Sequence, residues 1–155
     1  MKKLDRTSKL TLWTSIGFYL LSLFFTGFSY GYDNNDAGFV IVLFGWYDIF
    51  GSLAGFTWLA NPLIWLGWIS VRYAKKSLMY GLTAFLLMAI FAFTKSITNP
   101  GPCGSWLEPS YCPQLKIEKL NLGYYLWIAS AISLVIFNIY SLNRSNSTNK
   151  ITPPS

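Results

Sequence analysis

Three features of the chain have the residue types and spacing to do chemistry: the cysteines Cys103 and Cys112, the carboxylate of Asp48, and the dipeptide Asn61-Pro62. The cysteines stand nine positions apart in NPGPCGSWLEPSYCPQ, a stretch with four prolines and two glycines. A disulfide between them would close a small loop and stabilise it by roughly 2 to 3 kcal/mol through lost chain entropy. A redox-active pair usually takes the C-x-x-C form, which is absent. A zinc site asks for about four ligands, and the chain offers two cysteines and no histidine. A structural disulfide therefore leads, ahead of a redox pair or two free thiols.

Asp48 lies in FGWYDIFGSLAG, an otherwise uncharged run, where an ionised carboxylate at mid-bilayer costs a few kcal/mol or more. Asn61 and Pro62 sit in GFTWLANPLIWLGW. Within a helix, Pro62 supplies no amide to the carbonyl of Trp58, and an asparagine in lipid needs a partner. The side-chain amide of Asn61 can answer the freed carbonyl or a neighbouring helix. The pair is then a packed kink. The functional counterpart is a broken helix that holds an ion or substrate, as in many transporters, but no internal repeat of the kind such proteins carry is visible.

Composition narrows the remaining chemistry. With no histidine in the chain, Ser-His-Asp and Cys-His nucleophilic sites and histidine metal sites are excluded. Neither G-x-x-x-x-G-K-[ST] nor G-x-G-x-x-G occurs. A paired acid-base site would require Asp48 to meet Asp33, Asp36, Glu108 or Glu118 across one face. No cofactor and no metal are expected, and nothing in the chain asks for catalysis.

These residues are positioned by an unusually apolar chain. Over 155 residues, 53% are hydrophobic and 12% charged, too few charges to cover a soluble domain of this size. Residues 10–30, 38–71, 77–94 and 123–142 are nearly free of charge, and each has at least the roughly 17 residues a helix needs to cross a bilayer. The opening MKKLDRTSK has the basic character of a signal-peptide head. Its apolar part exceeds the usual 7 to 15 residues or so, and no small-residue cleavage pattern follows. The segment is therefore expected to remain as a helix.

Charge sets the orientation. With the N-terminus cytoplasmic, the inner segments carry nine basic residues, Arg72, Lys75, Lys76 and Arg144 among them, and the outer segments three. By the positive-inside rule both termini are inside after four crossings. The formal net charge of +6 then reflects topology and lipid headgroups, and no nucleic-acid partner is expected. The cysteine loop falls outside, where disulfides persist.

The second stretch is too long for one straight crossing: its 34 residues would reach about 51 Å as a helix. Asp48 marks the expected break. Residues 39–49 are predicted to form an interfacial or re-entrant piece with Trp46 and Tyr47 at headgroup level, followed by a span over 50–71. In PQLKIEKLNLG, the residues Leu115, Ile117, Leu120 and Leu122 suggest a short helix on the outer surface. The polar tail 145–155 is expected to be disordered and cytoplasmic. The predicted fold is thus all-α: an integral-membrane four-helix bundle over 1–144, with spans at about 10–30, 50–71, 77–94 and 123–142, N-in and C-in, and a disulfide-stapled outer loop.

At GSLAGFTWLANPLIWLGW the chain resembles a loose class of small, uncharacterised bacterial inner-membrane proteins with a Gly, Trp and Ala-Asn-Pro-Leu pattern in a central helix. The resemblance covers about 25 residues and implies a bacterial inner membrane, with no activity attached. The leading functional expectation is a non-enzymatic module that binds a membrane-protein partner: an assembly subunit, a regulator or an immunity-type protein. The alternatives are a small transporter or channel, a homo-oligomer using Asn61, Pro62 and Asp48, and an outer-face lipid enzyme using Asp48 and Glu108.

Overall fold

The computed structural model describes residues 6–30, 34–94, 96–98 and 114–151. The chain is mostly helical: α1 Arg6–Phe24, α2 Gly38–Phe44, α3 Leu53–Thr57, α4 Ala60–Ile69, α5 Ala74–Phe91 and α6 Leu122–Ile151, with a 3-10 turn over Gly45–Asp48. Among the described residues, two helical segments, Ala74–Phe91 and Leu122–Arg144, are long and apolar enough to cross a membrane. Gly38–Asp48 together with Leu53–Ile69 makes a third if the bent pair counts as one span, and Lys9–Phe24 is an apolar helix of shorter length.

The all-α expectation is corrected by four strands among the described residues, β1 Thr26–Tyr30, β2 Asn34–Ala37, β3 Ser96–Thr98 and β4 Gln114–Leu120. They lie in the antiparallel order β2-β1-β4-β3. The segment expected to be a surface helix is β4. Leu115 and Ile117 alternate with exposed Lys116 and Glu118, the period-two pattern of a half-buried strand. Leu115 and Leu122 also suit helical spacing, so the choice fell to pairing, Phe28 facing Leu120 and Tyr30 facing Ile117. Residues 26–30, expected at the end of the first span, are β1. Helix α1 stops at Phe24, ahead of Gly27 and the strand-favouring Phe28 and Tyr30.

The predicted break at Asp48 is present: Gly38–Asp48 and Leu53–Ile69 are bent by 115°. At the other end of the chain, α6 continues to Ile151, against the expectation of disorder from residue 145. No proline interrupts the run before Pro153, and an established helix propagates at little cost per residue.

Helix α1 packs chiefly on α6, α6 on α5, and α5 on α4. Helix α4 returns to α1 through Tyr19, edge-on to Trp65 and Trp68 with ring centroids 6.3 and 5.2 Å away. Ala60, Ala84 and Ala131 are wholly buried in this core beside Ile64, Met88 and Leu134. Such small side chains let helices approach closely, which matters in lipid, where packing and hydrogen bonds replace the hydrophobic drive between helices. A second core joins the sheet to the helix ends through Phe28, Tyr30, Ile97, Phe91 and Tyr124. Helices α1 and α5 end at the sheet and α6 starts from it. Lys9, Arg72, Lys75, Lys76 and Arg144, all exposed, gather at the opposite end.

Candidate functional site

Asn61 is 2% exposed at the centre of the helical core. Helix α3 ends at Thr57, a turn at Trp58 and Leu59 follows, and α4 starts at Ala60. The interruption thus precedes the Asn61-Pro62 pair, and Pro62 occupies the first turn of α4, where proline is tolerated. The carbonyl of Trp58 accepts both the backbone N–H of Asn61, at 2.9 Å, and its side-chain amide, at 3.1 Å. On the other side, Asn61 Oδ1 accepts the Tyr19 hydroxyl at 3.2 Å and the Trp127 indole N–H at 3.0 Å. One amide therefore closes the broken backbone of α4 and joins it to α1 and α6. Both acceptor positions of its oxygen are occupied by protein donors.

Two further polar clusters continue toward the basic end. Trp68 Nε1 donates to Ser15 Oγ at 3.0 Å, and Ser15 donates to the carbonyl of Ser130 at 2.7 Å. Ser77 donates to the carbonyl of Gly67 at 2.7 Å. Asn138 Nδ2 donates to Ser77 Oγ and to the carbonyl of Leu134, each at 2.9 Å. Asn138 Oδ1 is buried and without a hydrogen-bond partner among the described residues. Its amide orientation is the favourable one, since the other would turn the oxygen toward the Leu134 carbonyl.

Asp48 does separate work. Its carboxylate accepts a bond from the Ser52 hydroxyl, and Ser52 Oγ in turn accepts the N–H of Gly55 at 2.9 Å, capping α3. The bend is locked from the other side by Trp58, whose indole donates to the carbonyl of Val42 at 3.0 Å. Asp48 thus bonds at the hinge and Asn61 in the core, with no hydrogen bond between them.

Of the other carboxylates weighed against Asp48, Glu108 and Asp33 lie outside the described residues, Asp36 is in β2 and Glu118 in β4. Among the described residues, no three acidic or cysteine side chains gather as a metal would need. Cys103 and Cys112 also lie outside the described residues, in the connection between β3 and β4, whose ends pair at Thr98 and Gln114.

Sequence reasoning located Asn61 and its bond to Trp58, but not Tyr19, Trp127 or Ser15 as partners. Tyrosine and tryptophan in an apolar helix read as interface anchors. A partner 42 or 66 positions away leaves no local signal. Compared with protein-family models, with curated proteins and with solved structures, the chain gives no match.

Proposed function

We propose that this chain is a four-span protein of the bacterial inner membrane, both termini cytoplasmic, that acts without catalysis by binding a protein partner in or beside the bilayer. An assembly subunit, a regulator and an immunity-type protein all have this build. The observation that carries the reading is the saturation of Asn61: its oxygen takes two protein donors and its amide closes the backbone of its own helix. The polar group best placed to serve a ligand is thus committed to holding helices together. Under this topology the sheet and the Cys103 to Cys112 loop face outward, the loop stapled by a disulfide, with the exposed Lys116, Glu118 and Lys119 of β4 as the accessible surface.

Photo-cross-linking residues at Lys116, Glu118 and, as a lipid-facing control, Ile69 test this in membranes of the native host. A discrete protein adduct from the β4 positions and none from Ile69 is the expected result. Protein adducts from neither β4 position would overturn the proposed surface.

A second reading, a small oligomeric transporter or channel, is favoured by the unpartnered acceptor of Asn138, held between α4, α5 and α6. Liposome flux with wild type and Asn138→Leu separates the two: solute flux that the substitution abolishes would make the transporter the better account.

A further inference from the structure

The exposed apolar surface is short on every long helical element. On α1 it runs from Leu10, 68% exposed, to Phe24, 81% exposed. Lys9 lies before it and β1 after it. The corresponding limits are Leu53 and Ile69 on α3 and α4, Met79 and Phe93 on and just past α5, and Leu122 and Tyr140 on α6. At 1.5 Å per residue these stretches rise about 21, 24, 21 and 27 Å. Tilt can only lower those heights.

Charge closes the belt below, with exposed Arg72, Lys75 and Lys76 between α4 and the first turn of α5 and Arg144 in α6. The polar face of the sheet closes it above, with exposed Lys116 and Lys119. The segment Gly38–Asp48 does not raise that upper limit. Its axis lies about 25° off the perpendicular to Leu53–Ile69, and Gly38 is pressed against the Ser22 carbonyl so closely that a Cβ would strike it. The segment therefore flanks the last turn of α1, with Phe39, Leu43, Phe44, Trp46 and Tyr47 exposed and no charged residue before Asp48.

We propose that this apolar belt fits, and holds around the protein, a bilayer whose hydrocarbon is about 21 to 27 Å thick, thinner than the ~30 Å of an average membrane. The occupant is lipid. All four helical elements fall below the average hydrocarbon thickness, and the aromatic side of Gly38–Asp48 lies along the leaflet edge at the upper rim. This rests on the membrane-spanning reading above.

The test reconstitutes the full chain in phosphatidylcholine vesicles whose monounsaturated chains have about 14, 16, 18 or 20 carbons, spanning the thicknesses at issue. Carbonate extraction records insertion, and thermal unfolding records the midpoint. The expected result is the highest midpoint in the shortest chains, with a fall on the order of 5 °C or more across the series. A midpoint that is flat, or highest in the two longest lipids, with the protein inserted, would overturn the thickness proposal and leave the spanning reading standing. Extraction by carbonate from every lipid would overturn both.

Discussion

Replacing Asn61 with leucine removes three hydrogen bonds at one position. Oδ1 no longer accepts from Tyr19 or Trp127, and Nδ2 no longer donates to the Trp58 carbonyl. The Trp58 carbonyl keeps the backbone amide of residue 61 at 2.9 Å, so that end is only half undone. The Tyr19 hydroxyl and the Trp127 indole are left as donors without their acceptor. Interhelical hydrogen bonds in membrane proteins average about 0.6 kcal/mol and reach about 1.7, which puts three bonds of that strength at about 2 to 5 kcal/mol. Leucine recovers part of this by removing an amide from an apolar core. The expected net destabilisation of Asn61→Leu is about 2 kcal/mol, read from reversible unfolding in mixed detergent micelles. A double-mutant cycle with Tyr19→Phe isolates the hydroxyl contact and should return a coupling of about 0.5 to 1.5 kcal/mol. A change within about 0.5 kcal/mol of wild type for Asn61→Leu, or no coupling to Tyr19, would refute the claim that this amide holds α1, α4 and α6 together.

The same substitution at Asn138 should behave differently. Asn138→Leu removes the unpartnered Oδ1 and leaves the bond from Ser77 to Gly67 in place, so thermal unfolding should show stability within about 1 kcal/mol of wild type, or above it. Gly55→Ala drives a Cβ into the backbone carbonyl of Asp48 at the hinge, and the midpoint should fall by the equivalent of about 2 kcal/mol or more. Gly17→Ala in α1 meets nothing within 4 Å, and should be stabilising by up to about 1 kcal/mol through helix propensity. A similar response at both glycines would contradict the packing. For the proposed disulfide, unreduced protein unfolded in denaturant should take up no maleimide and reduced protein should take up two equivalents, one each at Cys103 and Cys112. Labelling without reduction would count against the bridge.

The two buried asparagines differ in how fully the core satisfies them. Asn61 and Asn138 are both buried, and both donate to a carbonyl of their own chain neighbourhood, Trp58 and Leu134 respectively. Among the described residues, only Asn61 of the two has donors aimed at its oxygen. In a low-dielectric interior, satisfied polar groups rigidify a packing and unsatisfied ones destabilise it. The saturation of Asn61 thus depends on which aromatic side chains reach it, which helix placement decides.

Much of the architecture was legible along the chain. The apolar helices, the break at Asp48 and the basic end of the structure follow from length, composition and charge, because each is set by residues adjacent in sequence. So did the answer of Asn61 to the Trp58 carbonyl, a contact across three positions. What the chain did not disclose is the state of residues whose local pattern suits two structures. Leu115, Ile117, Leu120 and Leu122 suit a helix face and a strand alike, and the presence of β1 as a pairing partner selected the strand. The same holds for Thr26–Tyr30, apolar enough to extend α1 but drawn off into the sheet. Tertiary structure alone decided that Tyr19 and Trp127 meet at one amide oxygen, since contacts between distant positions depend on how whole helices pack, and that packing is not encoded in any short window of sequence.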